Sequence, residues 1–112
     1  MKRLLTNYLR TYRKRSGLTQ EEVGYLLGCA NGSKVSRYEH YRRIPNLDTA
    51  LTYEAIFRTP VQDLFAGLFA EDERKMLKRI GRLGKKLLAK PETPLVNAKL
   101  EALAVSLRGR RN

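Results

Sequence analysis

Ser33, Lys34 and Arg37 lie within about one helical turn of one another, and Arg42 and Arg43 follow close behind. Together they offer hydrogen-bond donors and positive charge, the chemistry of a surface that holds an anion rather than of a site that breaks bonds. A catalytic set needs a nucleophile beside a base, paired carboxylates, or a glycine loop that cradles phosphate. No such spacing is found in the sequence. His40 has no second metal ligand at a suitable distance along the chain, and Cys29 stands alone. Neither an enzymatic activity, a metal nor a cofactor is expected.

Of the 112 residues, 23 are Lys or Arg and 11 are Asp or Glu, a net charge of +12. An excess of that size draws nucleic acid or anionic lipid, unless it merely keeps the surface solvated. The charge is uneven: residues 1 to 45 and residues 71 to 112 each carry +7, while residues 46 to 70 carry −2. A single cysteine excludes an internal disulfide and points to a reducing, cytoplasmic setting. Cys29 itself either packs in a turn or is exposed there. The opening Met1-Lys2-Arg3-Leu4-Leu5 is interrupted by Thr6 and Asn7 before it resembles a signal core, and no apolar run has the length of a bilayer span. No membrane partner is expected, and the basic C-terminal helix lacks Trp and Phe anchors on its apolar face.

The elements that carry these groups read as helices throughout. Leu5, Tyr8, Leu9 and Tyr12 recur at helical spacing until Ser16-Gly17. Thr19-Gln20-Glu21-Glu22 matches a capping box, so a second helix starts at Gln20, buries Val23, Leu26 and Leu27, and stops at Gly28. After Cys29-Ala30-Asn31-Gly32, a third helix runs from about Ser33 to Tyr41 with Val35 and Tyr38 on one face. Asn46 caps a fourth whose apolar stripe is Leu47, Leu51, Ala55 and Ile56. Thr59-Pro60-Val61-Gln62 reads as another capping box, opening a short fifth helix with Val61, Leu64 and Phe65. From Glu71 a basic helix carries Met76, Leu77, Ile80, Leu83, Leu87 and Leu88. Pro91 and Pro94 break it before a last stretch with Val96, Leu100, Leu103 and Leu107, and Arg108 to Asn112 read as a frayed basic tail.

Two short helices joined by a glycine-containing turn, the second with cations on its outer face, form a unit between about Thr19 and Tyr41 that lets one helix enter a major groove while the other braces it. Gly24 suits a close approach of helix two to helix three, and Gly28 a left-handed turn residue. Inward Val35 and Tyr38 leave Ser33, Lys34, Arg37 and Tyr41 on the face that would meet DNA.

Gln20, Gly24, Gly28, Val35, Tyr38, Glu39 and Pro45, with the runs Gly17-Leu18-Thr19-Gln20-Glu21-Glu22-Val23 and Val35-Ser36-Arg37-Tyr38-Glu39, resemble the lambda-repressor/Cro-like, or XRE-type, helix-turn-helix family over residues 5 to 65. The resemblance implies an all-α fold with a five-helix lambda-repressor-like DNA-binding domain over 1–68, to which the composition shift toward the C-terminus adds a basic helical extension over 69–112. It implies that Arg13 pairs with Glu39 to tie helix one to helix three. It makes Ser33, Lys34 and Arg37 the base-reading candidates, with Gln20, Asn31, Tyr41, Arg42 and Arg43 as phosphate candidates. Each has a plainer role too: Gln20 as a helix-start residue, Arg37 and Lys34 as phosphate or surface cations, Tyr41 as a cover for apolar surface. The chain departs from the family in a turn one residue longer between Gly28 and Ser36, in Tyr41 where glycine is common, and in Glu54 where alanine is common.

The expected function is a sequence-specific transcriptional regulator, a repressor, binding double-stranded DNA as a homodimer. Residues 71–107 are available to a second subunit or a protein partner. Two other readings remain open: a DNA-binding antitoxin whose C-terminal helices capture a toxin, and an adaptor whose basic surface engages RNA or an acidic protein.

Overall fold

The computed structural model describes residues 3–108, so the tail expected beyond Arg108 lies outside the described residues. These are all helix, turn and loop, arranged as two compact units that divide between Ala70 and Glu71. The first contains α1 (Leu9–Ser16), α2 (Gln20–Leu26), α3 (Ser33–Glu39), α4 (Leu47–Phe57) and α5 (Val61–Leu64), together with the first turn of α6 (Ala66–Leu88). The second holds the rest of α6 and α7 (Pro94–Arg108). No helix of the described residues is long and apolar enough to cross a membrane.

Leu9, Val23, Val35, Tyr38, Ala50, Tyr53, Leu64 and Phe65 form the core of the first unit, with Tyr12, Leu18, Leu27, Ile56, Phe57 and Leu68 packed around it. Rings account for much of it. Tyr38 meets Tyr53 edge-on at 6.3 Å, Tyr53 stacks on Phe57 at 6.0 Å, and Phe57 lies 6.1 Å from Tyr12. Contacts of this kind add about 0.5–1.5 kcal/mol each beyond the area they bury.

Several expectations need correction, among them Leu26, expected on the buried face of α2 and 48% exposed. The first helix begins at Leu9, not Leu5. The Asn7 side chain is buried there, its Oδ1 accepting the Leu9 amide at 3.1 Å and its Nδ2 donating to the Tyr38 carbonyl at 3.0 Å. The Leu5 and Thr6 carbonyls are engaged elsewhere, accepting the Gly67 and Leu68 amides at 2.9 and 3.1 Å, and Leu5 is exposed. That pairing also moves the start of α6 to Ala66, ahead of the expected Glu71. It supplies acceptors for amides that a helix start leaves over, and a Cβ at position 67 would collide with the Leu5 carbonyl.

On α4 the buried face carries Ala50 and Tyr53, with Ile56 half-buried, while Leu47, Leu51 and Ala55 face outward. The segment has apolar residues on both sides, and the large rings of Tyr53 and Phe57 claim the core. Lastly, Thr59 does not cap α5. Its hydroxyl turns back to the Phe57 carbonyl at 3.0 Å, and the Val61 amide is taken instead by Glu54 Oε1 at 2.9 Å. The departure at Glu54 thus has a local use: a carboxylate at a helix start.

In the second unit, the described residues bury only Leu87. A groove of about 420 Å³ runs between α6 and α7, lined by Leu83, Leu87, Ala102 and Leu103 beside Lys90 and Lys99. Thr93 accepts the Val96 amide at 3.1 Å and opens α7.

Tyr53 is 1% exposed, and its hydroxyl has no hydrogen-bond partner among the described residues. Burial, reinforced by Glu39, holds its phenol well above the ordinary value of 10.0. The folded state thus prefers the protonated phenol; the associated stability is complete below about pH 10 and is lost as pH rises above it. We expect the unfolding free energy to fall by about 1.4 kcal/mol per pH unit above that point. Tyr53→Phe should remove this contribution to the alkaline limb and raise stability at neutral pH by about 1 kcal/mol, as read by urea unfolding across pH.

Candidate nucleic-acid interface

The α2–turn–α3 unit is set by local hydrogen bonds. Thr19 Oγ1 accepts the Glu22 amide at 3.0 Å and Glu22 Oε1 accepts the Thr19 amide at 2.9 Å, completing the capping box. Gly28, at φ 82, turns the chain in a left-handed conformation that costs a residue with a Cβ about 1–2 kcal/mol. The longer turn is then pinned from both sides. Glu21 Oε1 accepts the Gly32 amide at 3.0 Å, and Asn31 Oδ1 accepts the Ser33 amide at 2.9 Å. A side chain at position 24 would overlap the Asn31 carbonyl, so the close approach of α2 is to the turn immediately before α3.

With its start fixed, α3 buries Val35 (0% exposed) and Tyr38 (5%). Ser33, Lys34 and Arg37 face solvent, as do Asn31, Tyr41, Arg42 and Arg43. The helix ends at Glu39, short of the expected Tyr41, because Tyr41 itself adopts φ 62 and reverses the chain. This is the position where the family commonly has glycine; here a tyrosine takes the left-handed conformation, half exposed. The Arg42 amide then donates to the Arg37 carbonyl at 2.9 Å, keeping the following cations close to α3.

Glu39 is the only carboxylate on α3, and it is buried. Arg13 Nε donates to its Oε2 at 2.6 Å and Arg13 Nη2 to its Oε1 at 3.1 Å, a two-pronged pair between α1 and α3. Arg13 Nη1 also donates to the Leu18 carbonyl at 3.1 Å, and Gln20 Nε2 donates to Glu39 Oε1 at 3.1 Å. The hydrogen bond and charge of Glu39 raise the Arg13 pKa further above its usual range. Since Glu39 is consumed internally, the outer face of α3 presents cations and hydroxyls with no carboxylate of its own.

Gln20 is therefore half-buried, with one amide N–H committed to Glu39 and a second still to donate. It borders a cleft of about 560 Å³ that also receives Arg10, Lys14 and His40. Arg10 and Lys14 are not among the candidates drawn from the sequence, although their four-residue spacing puts them on one face of α1. Nor is Asn7, which anchors the end of α3 through the Tyr38 carbonyl; an Asn two residues before an apolar helical position is a turn-forming signal.

Comparison with protein families matches residues 4–63 to the helix-turn-helix domain family, over half of the chain, while no curated protein and no solved structure matches. The chain belongs to the helix-turn-helix domain family, in keeping with the XRE-type resemblance of its motifs. Membership makes it a DNA-binding regulator in general terms.

Removing one side of a buried ion pair leaves the other uncompensated, at a cost of about 3–5 kcal/mol. Arg13 is 12% exposed at its side chain and Glu39 1%. Arg13→Ala should therefore fall near the lower end, a loss of about 3 kcal/mol in urea unfolding. The apolar pair Arg13→Met with Glu39→Leu should recover most of it. Equal losses in the single and double variants would contradict this account.

Proposed function

We propose that the chain is a sequence-specific transcriptional regulator, acting as a repressor in the cytoplasm, that places α3 in the major groove of duplex DNA. The observation that carries this reading is the division of α3: Val35 and Tyr38 buried, Ser33, Lys34 and Arg37 exposed. A seven-residue helix is about 10 Å long and presents its first turns to base edges in a groove about 12 Å wide. Arg37 has the planar fork that matches a guanine edge, worth about 1–3 kcal/mol of discrimination. Ser33 and Lys34 reach bases or phosphates beside it. Arg42 and Arg43 grip the backbone, with the phenol of Tyr41, the amide of Asn31 and the remaining N–H of Gln20 as further phosphate donors. Arg10 and Lys14, on the same cleft as Gln20, extend this positive rim. Occupancy of a promoter is enough to repress, which requires no surface beyond this one.

The DNA-binding domain covers residues 1–68 and the extension 69–112. One such domain presents little area to a duplex, so we assign the working unit as a homodimer on a two-fold related site. Support comes from the extension, where Met76, Leu83, Leu88, Leu95, Val105 and Leu107 remain exposed and only Leu87 is buried among the described residues.

Arg37→Ala should reduce the preference for the selected site over competitor DNA by about tenfold or more. Arg43→Ala should weaken binding to all duplexes alike, as read by competition binding after site selection. Equal effects of both changes on selected and random duplexes would refute the division of labour. Sedimentation equilibrium at micromolar protein should give the mass of a dimer; a monomer both with and without the selected duplex would remove the two-fold model.

A further inference from the structure

Between Arg74 and Lys86 every residue is either a cation or an uncharged residue, and α6 sorts the two completely. At 100° per residue the seven Lys and Arg fall within an arc of about 140°, and all six others, Met76, Leu77, Ile80, Gly81, Leu83 and Gly84, fall outside it. All seven cations are exposed. Glu71 pairs with Arg74 at 2.6 Å and Lys75 at 4.0 Å at the head of the stripe, and after Glu73 the next acid is Glu92.

A face that only keeps a helix in solution gains by mixing signs, because opposite charges four residues apart stabilise a helix and like charges destabilise it. Here the neighbours are alike: Lys75 with Arg79, Lys78 with Arg82, and Arg82 with Lys86. The helix bears this self-repulsion along its exposed side, and a polyanion would relieve it. The stripe spans about 18 Å, a length over which one strand of DNA offers about five phosphates. A lipid surface fits less well. Residues 74–108 contain no Phe, Tyr or Trp to seat at a membrane interface. On the apolar side of α6, Leu83 and Leu87 line the groove it shares with α7, where Leu87 is 4% exposed.

We infer that the basic face of α6 is a second, sequence-independent contact for the phosphates of duplex DNA, separate from the α3 surface. The inference rests on the DNA-binding reading above, and adds to it a tether that raises affinity without reading bases. Its signature is the salt dependence of binding, since each phosphate contact contributes about 0.9 to the slope of log K against log salt.

The test compares the full chain with the variant Lys78→Gln, Arg79→Gln, Arg82→Gln and Lys86→Gln, in which glutamine keeps helix propensity. Both bind a mixed-sequence duplex of about three helical turns in a salt titration, with helicity checked by circular dichroism. The expected result is unchanged helicity, binding at low salt weakened at least tenfold, and a slope shallower by about two to four. A second variant, Arg42→Gln with Arg43→Gln, reports the α3 side separately. If it loses affinity while the α6 variant binds as the parent does, the α6 inference is overturned and the reading of α3 stands. If the parent itself fails to bind the duplex, both fall. Loss of binding by the α6 variant to phosphatidylserine–phosphatidylcholine vesicles, with duplex binding intact, would assign the stripe to a membrane and overturn the proposal.

Discussion

A carboxylate held inside a small helical core governs the rest of this structure. Glu39 sits at the end of α3 with its charge out of water, and a buried charge is tolerated only when it is paired and hydrogen-bonded. The Arg13 fork and the Gln20 amide meet that demand from α1 and α2. Three helices are thereby tied at one point, and α3 cannot rotate without breaking charge-assisted hydrogen bonds in a place where water does not replace them. The orientation of Lys34 and Arg37 toward solvent follows from that restraint as much as from the burial of Val35 and Tyr38. Asn7 adds a fourth tie through the Tyr38 carbonyl, so the last turn of α3 is held from both the N-terminal segment and the bundle.

Steric constraint in the turn complements this electrostatic one. The backbone of α2 at Gly24 lies so near the Asn31 carbonyl that no side chain fits between them, and Glu21 and Asn31 spend their oxygens on amides of the turn and helix start. The additional turn residue is absorbed there without disturbing the start of α3. At the other end Tyr41 carries the left-handed conformation that glycine would take more cheaply. A phenol is thus kept next to Arg42 and Arg43 on the exposed side.

The two units bear charge and apolar surface in different ways. In the first, rings from α1, α3 and α4 close a core around Tyr53, and the outward cations flank it. In the second, α6 segregates its cations from its apolar residues, and its described residues bury only Leu87. A helix pair of this kind owes little to a core of its own, and helices in water draw most of their stability from packing an apolar face. On α6 the basic stripe and the apolar residues therefore occupy different sides of one helix.

Much of this was legible along the chain because it is local. Capping at Thr19 and Asn46, the left-handed turn at Gly28, the inward spacing of Val35 and Tyr38, and the break before α7 depend on residues within a turn or two of one another. The motif from Gly17 to Glu39 was enough to indicate the helix-turn-helix family. What only the tertiary structure decided involves groups distant in sequence competing for the same partner or the same space. Leu5 and Thr6 surrendered a helical turn because the amides of Gly67 and Leu68 took their carbonyls. Glu54 displaced Thr59 as the acceptor at α5. On α4, where both faces are apolar, the rings of Tyr38 and Tyr12 selected Tyr53 and Phe57 over Leu47 and Leu51, since periodicity specifies that a face is buried but the shape of the neighbouring helices determines which one.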